Sequence, residues 1–142
     1  MSELSQRAVR LLARREHTRA ELARKLAPYG TNEEIETVLN ELGRSGLQSD
    51  ARFAESYVRS QAARLGAARL RQTLRTKGVA AALIDASVAA LPHEDERLHA
   101  VWEKKFGTPP ADAREWARQA RFLQGRGFAV ETIRKFLKEC AA

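Results

Sequence analysis

Eleven cations in this sequence have the type and spacing to hold a polyanion: Arg52, Arg59, Arg64, Arg69, Arg71, Arg75, Lys77, Arg114, Arg118, Arg121 and Arg126. The densest run is RLRQTLRTKGV at 69–79, in which four cations stand without an acid. Leu70 and Leu74 lie four apart in it, the spacing of a helix with one apolar edge. Arg114, Arg118 and Arg121 are spaced i, i+4, i+7 and share one helix face. At about 100° per residue, Trp116, Ala120 and Leu123 take the opposite face. Solvation alone requires only polarity, and paired lysine and glutamate supply that. Arginine adds a planar donor fork that matches phosphate or carboxylate. No recognition-helix pattern for reading base edges accompanies these residues, so any nucleic-acid contact is expected at phosphate.

Whole-chain charge agrees with an anionic partner. Lys and Arg number 25 and Asp and Glu 18, so the formal net charge is +7. Such a balance favours nucleic acid, an acidic membrane surface or an acidic protein. Catalytic patterns are missing, and an enzyme is not expected. His17, His93 and His99 lack metal-ligand spacing and are assigned surface or capping roles. Glu94, Asp95 and Glu96 sit at a helix start, where anions complement the helix dipole. No phosphate loop, nucleophile elbow or dinucleotide fingerprint occurs, and neither cofactor nor metal is expected. Cys140 is the single cysteine, which excludes an intrachain disulfide and makes the cytoplasm the expected compartment. The longest apolar run, VAAALIDASVAAL at 79–91, is too short for a bilayer and contains Asp85. Phe53, Tyr57, Trp102, Trp116, Phe122, Phe128 and Phe136 fall on or beside apolar stripes, which makes them core residues rather than base-stacking platforms.

The elements that must position the arginines are helices. Alternating patterns are absent, whereas positions 54, 57, 58, 61, 62 and 65 follow helical spacing. Thr18 with Glu21 and Thr31 with Glu34 fit capping boxes. Gly30, Gly46, Gly78 and Gly107 each follow a helical pattern, where a left-handed closing residue is expected. The reading is an all-α chain with helices at 3–15, 18–27, 32–44, 50–65, 67–77, 80–91, 93–106, 112–125 and 130–140. These fold in threes. Leu26, Leu74 and Leu123 each precede a glycine, Gly30, Gly78 and Gly127, by four residues. Ile35, Ile84 and Ile133 follow, then Leu39, Val88 and Leu137, at a period of 48 or 49 residues. Three tandem three-helix repeats are expected, at 1–48, 49–92 and 93–142. A unit of this size buries too little surface to stand alone, so the repeats should stack into an elongated, curved rod. Charge keeps the same rhythm. Residues 1–30 carry 7 − 3 = +4, 31–50 carry 1 − 5 = −4, and 51–78 carry 7 − 1 = +6. Residues 79–96 carry 0 − 4 = −4 and 97–142 carry 10 − 5 = +5. Stacked in parallel, the positive helices would form a stripe.

Two blocks carry a resemblance. REHTRAELARKL at 15–26 and GLQSDARFAESYVRSQAARLGAARLRQTLRTKGV at 46–79 resemble the bacterial regulatory protein family RecX. The second block is the more specific, through its Gly-Leu, its acid-x-x-Phe-Ala-x-x-Tyr-Val and its closing Leu-x-x-Lys-Gly-Val. The chain departs from the family at Ser49-Asp50, often two acids there, and at Leu65-Gly66-Ala67, where the turn tends to be longer. The resemblance implies a helical-repeat modulator of RecA, the filament-forming recombinase. It implies binding in the groove of the RecA–DNA filament, suppression of ATPase, strand exchange and coprotease activities, and weak, phosphate-directed binding of single- or double-stranded DNA. No membrane association and a monomeric state are expected. Composition and spacing alone leave open a sequence-independent DNA-binding or scaffold protein without a recombinase partner.

Overall fold

The computed structural model describes residues 1–141. Among them the regular elements are helical: α1 (Glu3–Arg14), α2 (Arg19–Leu26), α3 (Asn32–Ser45), α4 (Asp50–Gln61), α5 (Ala67–Thr76), α6 (Ala81–Ala89), α7 (Glu94–Lys105), α8 (Ala113–Gly125) and α9 (Val130–Ala141), with a 3-10 turn at Ala27–Tyr29. Local chemistry sets the starts. Both expected capping boxes form: Thr18 and Thr31 accept from the amides of Glu21 and Glu34, whose carboxylates accept from the threonine amides in return. Ser2 caps α1, His93 caps α7 and Asp112 caps α8.

The chain divides into two compact units. One comprises residues 1–56 and 74–87, the other residues 57–73 and those from 88 onward. In the first, Ala8, Leu22, Leu26, Ile35, Val38, Leu39 and Leu42 form a core, against which Leu4, Leu11 and Leu12 pack. In the second, Leu98, Val101, Trp102, Leu123, Phe128, Ile133 and Leu137 form the core, flanked by Phe106, Trp116 and Phe122. The periodic positions read from the sequence are core positions: Leu26, Leu74 and Leu123 are fully buried, and Ile35, Ile84 and Ile133 are buried with them.

The turns after α5 and α8 are alike. Gly78 (φ 86°) donates to the Arg75 carbonyl and Val79 to that of Leu74; Gly127 (φ 94°) donates to Gln124 and Phe128 to Leu123. Gly46 and Gly107 also adopt left-handed conformations. Gly30 does not. Its φ is −168°, because Pro28 tightens the end of α2 into the 3-10 turn and the chain leaves it extended toward the Thr31 cap.

In each unit these glycine turns receive another turn of the chain. The Thr18 hydroxyl donates to the Lys77 carbonyl at 2.7 Å, and a Cβ on Gly78 would lie 2.6 Å from Ala20 Cβ. In the other unit, Gly66 N–H donates to the Arg126 carbonyl at 2.7 Å and Ala68 N–H to that of Gly127 at 3.2 Å. A Cβ on Gly66 would stand 2.4 Å from the Gly127 carbonyl carbon, and one on Gly127 would stand 2.3 Å from Arg69 Cβ. The turns ahead of α2 and α5 therefore seat on the turns ahead of α6 and α9 respectively. α4, α5 and α6 contribute residues to both units.

Candidate polyanion interface

α8 presents the arginine face that its spacing predicts. Arg114, Arg118 and Arg121 are exposed, while Leu123 is buried and Trp116 and Ala120 are half-buried. Arg118 is held in place. Its Nε and Nη2 donate to Glu115 at 2.9 and 2.7 Å, and its guanidinium lies 5.1 Å from the centre of the Phe106 ring. The Arg118 and Gln119 hydrogen bonds hold the Glu115 carboxyl down at about 2, so the pair stays ionised through the physiological range.

Behind it stands Gln119, only 2% exposed. Its carbonyl oxygen accepts from Trp102 Nε1 at 2.7 Å, and its amide donates to the Thr108 carbonyl and to Glu115. A buried glutamine thus couples the core tryptophan of α7 to the ion pair that orients Arg118. The sequence carried a signal for this: Gln119 is a polar residue at a core position, three after Trp116 and four before Leu123.

Phe106 and Phe122 meet edge to face with centroids 5.4 Å apart. Lys105 lies over the Phe122 ring at 5.2 Å and Arg126 at 4.9 Å. Phe122 thus supports cations as well as flanking the core. Arg69 donates to the Gly125 carbonyl at 3.0 Å, which brings it to the α8 C-terminus beside Arg126. Lys105, Arg69 and Arg126 therefore gather at the C-terminal end of α8, the helix that carries Arg114, Arg118 and Arg121. Arg59 and Arg64, at the end of α4, belong to the same unit; both are exposed and make no hydrogen bond or ion pair among the described residues. Arg71 is half-buried and has interactions of its own.

Arg52, Arg75 and Lys77 lie in the other unit. Arg75 is exposed and makes no such bond among the described residues. Arg52 spends its donors internally, on Glu16 and on the Gly46 and Leu47 carbonyls at the end of α3. Lys77 pairs with Glu21 at 3.4 Å, and Arg15 pairs with the same carboxylate at 3.2 Å. Burial works to raise the Glu21 pKa, but the Thr18 amide, Arg15 and Lys77 outweigh it and bring it to about 2.

The histidines divide. His93 caps α7 through its Nδ1, and His99 is exposed. His17 departs from the expected surface or capping role: it is 2% exposed, hydrogen-bonded from Nδ1 to the Arg15 carbonyl, with Lys25 Nζ 3.0 Å from Nε2. Burial, with Arg15 and Lys25 nearby, lowers its pKa. The acids opening α7 complement its dipole, and Glu94 also accepts from the Ala67 amide at the start of α5. Arg97 is buried under the end of α4, where it donates to the Ala62 and Leu65 carbonyls. Among the described residues, no group of three or more His, Cys, Asp or Glu is placed to hold a metal ion, and no helix is long and apolar enough to cross a membrane.

Comparison with known proteins completes the description. Sequence models for the RecX first, second and third three-helix domains match residues 6–42, 49–88 and 93–137. The chain belongs to the RecX family. A curated relative from Leptothrix cholodnii, named regulatory protein RecX, is 50% identical over 137 residues, covering 95% of this chain and 87% of its own. One of the same name from Chromobacterium violaceum is 46% identical, covering 94% and 88%. The crystal structure of RecX from Lactobacillus salivarius superposes with a TM-score of 0.85 at 21% identity, covering 98% of this chain and 95% of that one. A crystal structure of a regulatory protein RecX gives 0.80 at 22% identity, covering 96% and 72%. At such identities the likeness concerns the fold, an all-α array of three three-helix repeats.

Proposed function

We propose that this chain is a non-enzymatic regulator that binds the RecA–DNA filament through its arginine faces and inhibits the recombinase's ATPase, strand exchange and coprotease activities. Family membership supports a regulatory role. The observation that carries the binding reading is the α8 face, where Arg114 and Arg121 are exposed without a partner among the described residues, beside an Arg118 already oriented by Glu115. The Nε–Nη2 edge of Arg118 is taken by Glu115, so the planar forks of Arg114 and Arg121 are the ones offered to a phosphate or carboxylate. Arg59, Arg64, Arg69, Arg71, Arg75, Lys77 and Arg126 extend the proposed contact, and Arg52 contributes least, since its donors are occupied.

Of the repeats, taken as 1–48, 49–92 and 93–142, the second and third would contribute weak contacts to a partner that itself repeats. Linking such contacts in one chain raises avidity through effective concentration, without a deep pocket. Inhibition follows if the bound chain favours one filament state over another, by its difference in affinity for the two. The protein would act as a cytoplasmic monomer, with DNA itself bound weakly and through phosphate.

The test is a titration of RecA ATPase on single-stranded DNA with substoichiometric protein, comparing wild type with an Arg114→Glu/Arg121→Glu variant. The variant should keep its far-ultraviolet helicity and need about tenfold or more protein for the same inhibition, a loss of about 1.4 kcal/mol or more. Equal inhibition by the two proteins removes the α8 face from the mechanism. Equal affinity for bare and RecA-coated DNA identifies instead a sequence-independent DNA-binding protein without a recombinase partner.

A further inference from the structure

α1, α3 and the 3-10 turn enclose an open groove of about 990 Å³. Leu4, Val9, Val38 and Leu42 line it, together with Tyr29 and Leu47. Among the described residues the large apolar side chains that remain exposed are Met1, Tyr29, Leu47 and Val130, and the first three line this groove. Tyr29 is 55% and Leu47 49% exposed. Arg7, 3.6 Å from the centre of the Tyr29 ring, holds that ring in place. The charged side chains of the lining are Glu3, Glu33, Glu34 and Glu41, which outnumber the Met1 ammonium and the Arg7 guanidinium over Tyr29. On a chain of net charge +7, this is a local reversal of sign over exposed apolar surface.

We propose that this groove is a docking site for a basic amphipathic helix of a partner protein, one whose aliphatic face seats between α1 and α3 and whose lysines or arginines meet the glutamate rim. Helix-in-groove recognition needs an apolar trough and a rim of opposite charge. Phosphate is excluded as occupant, since four carboxylates would repel it. A second copy of this chain fits poorly: its most basic helix, α5, already buries its leucines, Leu70 and Leu74. The groove shares no residue with the arginine faces.

The experiment uses the full chain and three fluorescein-labelled helical peptides of equal length. One has leucine at i, i+3, i+4 and i+7 with lysine elsewhere, one replaces the lysines by glutamate, and one keeps the lysines but lacks leucine. Anisotropy titrations are run with wild type, Glu33→Lys/Glu41→Lys and Leu47→Asp, all three substituted residues being exposed, with circular dichroism as the fold check. The leucine–lysine peptide should bind wild type and lose about tenfold or more in affinity to either variant. The proposal is overturned if that peptide fails to bind, if the glutamate or leucine-free peptide binds as well, or if the variants bind like wild type. It is also overturned if sedimentation shows a wild-type dimer that the Glu33→Lys/Glu41→Lys change dissociates, since the occupant is then a second copy.

Discussion

Gly66→Ala and Gly43→Ala make the same chemical change and should move stability in opposite directions. Neither glycine needs a left-handed backbone. In the unfolded chain, alanine has fewer conformations to lose, so Gly→Ala at an unobstructed site stabilises by about 0.4–1 kcal/mol. Gly43 is such a site: it lies inside α3, and an added Cβ meets nothing within 4 Å. At Gly66 the added Cβ would fall 2.4 Å from the Gly127 carbonyl carbon and oxygen and 2.5 Å from Phe128 N, all backbone atoms. They cannot rotate away, so the two turns must separate. Separation stretches the Gly66–Arg126 and Ala68–Gly127 hydrogen bonds, worth about 0.5–1.5 kcal/mol each. Overpacking adds about 1–3 kcal/mol. The expected cost, after the unfolded-state gain, is about 1–6 kcal/mol. Urea unfolding followed through Trp102 and Trp116, both in the unit containing Gly66, reads the effect directly. Gly43→Ala should raise the midpoint and Gly66→Ala should lower it well below wild type. A Gly66→Ala protein as stable as wild type would mean that the two turns do not touch, and the seating argument would fall.

Glu21 gives a pH prediction. Its folded pKa is depressed from 4.5 to about 2, so its stabilisation is present above pH 4.5 and is lost as pH falls toward 2. The full shift corresponds to about 3 kcal/mol, but solvent at Arg15 and Lys77, 48% and 35% exposed, screens it to about 1–2 kcal/mol. The stability difference between wild type and Glu21→Gln should shrink by that amount across this interval, and parallel profiles would contradict the assignment. Leu74→Ala removes a fully buried side chain from α5 and should cost about 2–5 kcal/mol in a chemical melt. No loss would mean that Leu74 is not in a core. DNA affinity should fall with salt at a log–log slope of about −2 to −3 if the three arginines of α8 each meet a phosphate. A flat dependence would remove phosphate from the contact.

Much of this molecule could be read without coordinates, because its helices are set by local chemistry. Capping boxes at Thr18 and Thr31 need only residues three apart, and the apolar period that buries Leu26, Leu74 and Leu123 is a property of the chain alone. The same holds for the α8 arginine face, since a helix's own geometry puts Arg114, Arg118 and Arg121 together. Gly30 departs from the expected closing conformation because Pro28 turns the end of α2 into a 3-10 turn and leaves Gly30 extended. What tertiary structure alone decided is which polar side chains are already occupied. Arg52 and Arg114 look alike in sequence, yet Arg52 closes the end of α3 and pairs with Glu16, thirty-six residues away, while Arg114 stays exposed. His17 and Gln119 became buried hydrogen-bonding groups for the same reason, and Tyr29 and Leu47 came to line one groove. Hydrogen-bond partners and neighbours distant along the chain are chosen by packing, and no spacing within a single helix encodes them.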